Sequence, residues 1–152
     1  MILYMDTSAL LKRYFKEPGS IEVISKWKEA DGIVISSVAY AEAIASIYRK
    51  NREVSMGAKK LTSVLNSFQK DWKSFIRVEV NDDLNGVIDR IVTSHPLRGF
   101  DAIHLASALI THEMLSEDFL FACFDRKLLQ AAQMEGLDTL PKSVESKPTT
   151  AN

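Results

Sequence analysis

Four acidic residues stand where a carboxylate can do more than solvate a surface. Asp6 directly follows the apolar run Ile2-Leu3-Tyr4-Met5, and Asp125 directly follows the run from Phe119 to Phe124. Each run reads as a buried strand, and open α/β sheets bind their ligands at the carboxyl ends of strands. Two aspartates at equivalent strand ends can therefore face one crevice. Asp at a strand–helix junction is also a favoured helix cap, so each residue taken singly admits both readings. Glu42 lies in Val38-Ala39-Tyr40-Ala41-Glu42-Ala43-Ile44-Ala45. Its small neighbours imply a closely packed helix, where a charge is costly unless it is paired, metal-bound or turned to solvent. Asp101 opens the segment Phe100-Asp101-Ala102-Ile103-His104-Leu105-Ala106. A negative charge suits a helix N-terminus on dipole grounds alone. His104, three residues on, shares its face and could orient Asp101 or close a pocket, but is not read as a metal ligand.

The elements that must position these residues alternate along the chain. Ile2 to Met5 reads as a strand, Thr7 to Phe15 as a helix ended by Pro18-Gly19, and Ser20 as the cap of a second helix presenting Ile21, Ile24 and Trp27. Gly32 closes that helix and Ile33 to Ile35 form a strand. Ser36 or Ser37 caps a helix from Val38 to about Lys50, and Ser55 to Phe75 is long and amphipathic. Ile76 to Val80 is a third strand candidate, and Asp82 or Asp83 caps a helix through Val92. The loop His95-Pro96-Leu97-Arg98-Gly99 leads to a helix from Phe100 to Leu115. The strand Phe119 to Phe124, a helix from Asp125 to Met134 and a short strand from Leu137 to Leu140 complete the pattern. Strands alternating with helices predict an α/β fold whose parallel sheet is covered on both faces. Residues 1–140 read as one domain, and residues 141–152 as a disordered polar tail.

Composition narrows the function classes. The chain has 152 residues, 46% hydrophobic and 26% charged, which is ordinary for a soluble globular protein. Its net charge of −1 gives no global attraction to nucleic acid, so any such contact needs a local basic patch. The lone Cys123, flanked by Phe121, Ala122 and Phe124, reads as a buried thiol and excludes an internal disulfide. No apolar stretch is long enough to span a bilayer, and a cytoplasmic location with no membrane contact is expected. Glycine-rich nucleotide loops, the Gly-x-Ser-x-Gly elbow and His-Glu-x-x-His are all absent from the sequence. Glu17, Glu22, Glu29, Glu53 and Glu79 read as solvated, and the tryptophans and phenylalanines as core rather than base-stacking platforms.

Four segments taken together resemble the PIN-domain family. They are Ile2 to Lys12 with Asp6-Thr7-Ser8, Ile35 to Glu42, Leu97 to Ala106 with Asp101-Ala102-Ile103-His104, and Phe124-Asp125-Arg126-Lys127-Leu128. The resemblance implies a three-layer α/β/α sandwich around a central, mainly parallel sheet, and a ribonuclease activity. It matches Asp6, Glu42, Asp101 and Asp125 to the family's catalytic, metal-holding acidic quartet, and Ser8 to an assisting hydroxyl position. The short chain is similar to VapC toxins, which dimerise and are silenced by a VapB antitoxin. Converging carboxylates repel unless protonated or bridged by a cation, and hard oxygen ligands favour Mg2+ or Mn2+.

An RNA substrate needs basic groups beside such a pocket. Lys12, Arg13, Arg49, Lys50, Arg52 and above all Arg98 are the candidates for phosphate contacts. Rival readings are a metal-dependent DNA nuclease, or a non-catalytic RNA-binding or signalling domain. Phosphatases with an aspartate nucleophile carry Asp-x-Asp after the first strand, where this chain has Asp6-Thr7-Ser8.

Overall fold

The computed structural model describes residues 1–143. Its elements are β1 (Ile2–Met5), α1 (Thr7–Leu11), α2 (Ser20–Glu29), β2 (Gly32–Ser36), α3 (Ala39–Val54), α4 (Ala58–Ser74), β3 (Ile76–Val78), α5 (Asn85–Ser94), α6 (Gly99–Met114), β4 (Phe119–Ala122), α7 (Arg126–Met134) and β5 (Asp138–Leu140). A single 3-10 turn, Asp82–Leu84, precedes α5. Of the polar tail expected over residues 141–152, residues 144–152 lie outside the described residues.

The five strands form one sheet in the order β3-β2-β1-β4-β5, and every pairing is parallel. Alternation along the strands splits the core in two. Ile2, Tyr4, Phe119, Phe121 and Cys123 face one side, packed under α5, α6 and α7. Leu3, Met5, Ile35 and Ala122 face the other, under α1 to α4. The result is the expected three-layer α/β/α arrangement around a parallel sheet. Ala102, Ala106 and Ala108 let α6 lie close against the sheet, and that helix is buried over most of its length. No helix of the described residues is long and apolar enough to cross a membrane.

Several local expectations give way to tertiary forces. α1 ends at Leu11 rather than Phe15, because Lys12, Arg13 and Tyr14 donate to carbonyls only three residues back and tighten into turns. Ser20 does not cap α2. Its hydroxyl donates to the Phe15 carbonyl, and the cap position belongs to Gly19. The buried apolar residue of α2 is Val23, while Ile21 is 80% exposed. Gly32 opens β2 instead of closing a helix, and Asn81, not Asp82 or Asp83, caps the turn before α5. Cys123 is buried and free, as expected, and burial pushes its thiol upward.

Gly19 is fixed by both backbone and packing. Its φ of +94° is a conformation that L side chains rarely adopt, and a Cβ there would fall 2.7 Å from Cζ of Phe124. Gly86, in α5, has open space around it. Gly19→Ala is therefore expected to lower the unfolding free energy by at least about 1–2 kcal/mol. Gly86→Ala should be neutral or stabilise by up to ~1 kcal/mol. Urea denaturation of both variants checks the pair, and an unperturbed Gly19→Ala would contradict this packing.

Candidate active site

The topology brings the four acidic residues to one edge of the sheet. β2, β1 and β4 are neighbours running in the same direction. The chain leaves them at their carboxyl ends and enters α3, α1 and α7, so these helices begin at that edge. Glu42 lies in the first turn of α3, and Asp6 and Asp125 are the cap residues of α1 and α7. α6 feeds the amino end of β4, so its own N-terminus, with Asp101 in the first turn, lies back at the carboxyl edge. The strand order reverses between β1 and β4, the place where an open α/β sheet forms its crevice.

Asp6 is 4% exposed. Its Oδ1 accepts from the Ala9 backbone N–H at 2.9 Å and from the Ser8 hydroxyl at 2.7 Å. Ser8 Oγ in turn accepts from the Phe124 N–H at 2.9 Å, which ties the end of β1 to the end of β4. Asp125 accepts at Oδ1 from the Leu128 N–H at 2.9 Å, so both aspartates do cap helices. Capping and a place at the crevice are thus compatible.

Glu42 does not turn away to solvent. Its Oε1 accepts from Thr7 Oγ1 and from His104 Nε2, each at 2.7 Å. His104 is 2% exposed, with Tyr4 Oη 3.4 Å from its other ring nitrogen. The histidine therefore positions Glu42, and makes no hydrogen bond to Asp101, the partner its sequence spacing suggested. Thr7 and Tyr4 were not singled out from the sequence. The one available signal for Thr7 was a second hydroxyl directly beside Ser8.

The electrostatics report how closely the acids share space. Partial burial, then the negative charges of Asp125, Asp6 and Glu42, hold the Asp101 carboxyl above the ordinary range, with His104 opposing. Burial also raises Asp6, against the His104 ring and the donors Ser8 and Ala9. For Glu42 burial acts upward too, but the hydrogen bonds from His104 and Thr7 outweigh it and the carboxyl is held low.

Among the described residues, no three His, Cys, Asp or Glu side chains stand together as a ready-made metal cage. The acids carry protein hydrogen bonds of their own. They fall on one oxygen each of Asp6, Glu42 and Asp125. The second oxygens of Glu42 and Asp125 take no protein hydrogen bond among the described residues. A donor set made of carboxylate oxygens suits a hard divalent cation. Arg98 stands exposed at the cap of α6, in no ion pair among the described residues. Phe100, expected in the core, is 60% exposed beside Asp101.

The upward shift of Asp101 has a consequence for stability. A carboxyl whose folded pKa is raised destabilises the fold when ionised, and this cost is absent below its unfolded pKa of about 3.9. Asp101→Asn should therefore raise Tm at pH 7, with the gain shrinking to nothing as pH falls below roughly 4. Thermal unfolding of both proteins from pH 3.5 to 7.5 without divalent ions checks this. A variant less stable at pH 7 would mean the crowding at Asp101 is not repulsive.

The comparisons with known proteins agree with this fold. Residues 3–133 match the PIN domain family. Ribonuclease VapC45 of Mycobacterium tuberculosis is 27% identical over 144 residues, covering 95% of this chain and 98% of that protein. Among solved structures, PAE2754 from Pyrobaculum aerophilum superposes with a TM-score of 0.65 at 19% identity, covering 93% of this chain and 90% of the other. VapBC2 from Rickettsia felis, bound to a DNA fragment from their promoter, gives 0.62 at 12% identity, covering 91% and 97%. At those identities the structures speak for the fold alone. With the match spanning most of the chain and the acidic edge in place, this protein belongs to the PIN-domain family and has homology to VapC-type toxins.

Proposed function

We propose that this chain is a metal-dependent endoribonuclease that hydrolyses RNA phosphodiester bonds, as the toxin of a VapBC pair. The observation that carries the reading is the gathering of Asp6, Glu42, Asp101 and Asp125, from four separate helix starts, at the carboxyl edge of one parallel sheet. Carboxylates gathered from separate elements at a sheet's carboxyl edge destabilise a fold unless a cation uses them. Similarity to a protein named a ribonuclease supports the choice of reaction.

Asp6, Glu42, Asp101 and Asp125 would hold one or more Mg2+ or Mn2+ ions. Such a cation supplies Lewis acidity toward the phosphate and lowers the pKa of a coordinated water. Asp101 or Asp125 would help to orient or deprotonate the attacking water. Ser8 steadies Asp6, and His104 and Thr7 steady Glu42. Ser8 Oγ, already accepting from Phe124, keeps one lone pair for a ribose hydroxyl. Arg98, exposed at the cap of α6, would meet a phosphate. In this reading the protein works in the cytoplasm as a homodimer, joined through early helices such as the exposed Ile21 face of α2. A VapB-type antitoxin silences it by placing a basic side chain among the acids.

Cleavage of a labelled RNA panel tests the reaction. Products are expected with Mg2+ or Mn2+, none with chelator, and at least a hundredfold less with Asp6→Asn. The absence of a ready-made metal cage among the described residues favours one second reading, a non-catalytic RNA-binding domain. Metal-independent RNA affinity with no products under any condition would establish that reading instead, and cleavage of DNA but not RNA would identify a DNA nuclease.

A further inference from the structure

The carboxylates adjoin a second concavity. Ser8, Lys12, Glu17, Arg49, Lys50 and Phe124 are among the residues lining a cavity of about 380 Å³ between α1 and α3. Two of its walls belong to the acidic edge itself, since Ser8 Oγ bonds both Asp6 Oδ1 and the Phe124 N–H. α3 supplies the third link. Glu42, Ser46 and Arg49 recur at i, i+4 and i+7, so they line one face of the helix, and about 10 Å of helix separates Glu42 from Arg49.

The charges here are arranged, not scattered. Glu17, read from sequence as solvated, lies between two ammonium groups, with Lys50 Nζ 2.7 Å from Oε1 and Lys12 Nζ 2.9 Å from Oε2. Lys12 also lies over the Phe124 ring and Lys50 over the Phe15 ring, each about 5 Å from the centroid. Carboxylate and aromatic faces thus hold both cations in place while leaving one positive charge in excess. Arg49 adds a guanidinium whose hydrogen bond goes to the neutral Ser46 hydroxyl, against one further carboxylate, Glu53. Arg13, by contrast, pairs with Asp71 at 3.5 Å and lies over Trp27.

We propose that this groove is a phosphate-binding subsite for the single-stranded RNA segment flanking the bond held at the carboxylates, an inference that rests on the nuclease reading above. The quartet repels a polyanion, and a chain with net charge −1 offers no global attraction. The strand therefore needs cations fixed beside the acids, and a basic groove with aromatic walls is how unpaired nucleic acid is held. Lys12, Lys50 and Arg49 take phosphate oxygens, with Glu17 setting the spacing of the two lysines.

The test is binding of a fluorescent 12-nucleotide single-stranded RNA in chelator, read by anisotropy across a salt series. Arg49→Gln/Lys50→Gln is compared with Lys28→Gln/Lys73→Gln, an equal charge change at the far ends of α2 and α4, which feed the amino ends of β2 and β3. Circular dichroism confirms that each variant is folded. The groove pair should bind about tenfold more weakly, with a salt slope shallower by about 1.4, while the control pair stays near wild type. Glu17→Gln, which frees both lysines, should bind RNA at least as tightly as wild type. Equal losses in the two pairs, or an unchanged slope, would overturn the subsite. So would an RNA affinity indifferent to the groove pair while a labelled oligoglutamate peptide loses its binding, which would assign the groove to an acidic protein segment. Groove-dependent RNA binding in a protein that cleaves nothing would keep the subsite and sink the nuclease. No RNA binding by wild type would sink both.

Discussion

The parallel pairing of β1 with β4, Met5 opposite Ala122, aligns two chain segments that leave the sheet in the same direction onto different helices. Each segment places an aspartate at its exit, and the Ser8 hydroxyl joins the two exits through Asp6 and Phe124. β2 on the other flank of β1 delivers Glu42, and the helix returning to β4 delivers Asp101. No one of these elements creates the site. It exists because a parallel sheet sends every following helix off the same edge, and because the strand order reverses where the two aspartates stand.

That arrangement concentrates negative charge, and the protein answers it unevenly. Glu42 is relieved by Thr7 and the buried His104, so its carboxyl is held low. Asp6 is compensated in part, by Ser8 and Ala9, yet burial still holds it high. Asp101 receives the repulsion of the other three with only the His104 ring opposing. The uneven treatment leaves Asp101 as the acid on which the charges of the other three converge. Local destabilisation of this kind is the usual mark of a functional site in an otherwise self-consistent fold.

Much of this was legible in the sequence because it depends on local patterns. The runs Ile2 to Met5 and Phe119 to Phe124 announce buried strands, and an aspartate at the end of each needs no structure to notice. The alternation of strands and helices gave the parallel sheet and its two helical layers. What stayed hidden depends on distant chain segments. Thr7 matters because Glu42, 35 residues away, meets it. His104 shares a helix face with Asp101 but bonds Glu42 across the layer instead. Glu17 lies among polar neighbours in the sequence, and only folding sets it between Lys12 and Lys50. Phe100 follows the helical pattern of a core residue, yet the turn that opens α6 leaves it in solvent. The early end of α1 follows from backbone bonds that tighten to three-residue turns, and the buried apolar position of α2 is Val23 rather than the Ile21 that spacing suggested.

The central claim is that Asp6, Glu42, Asp101 and Asp125 act as a single cation site. A titration of Mn2+ into the free protein, followed by loss of the aqueous Mn2+ electron paramagnetic resonance signal, tests it without any substrate. The account predicts saturable, stoichiometric binding that is competed by Mg2+ and lost in both Asp6→Asn and Asp101→Asn. Mn2+ binding that survives in both variants, or none in the wild type, would contradict it.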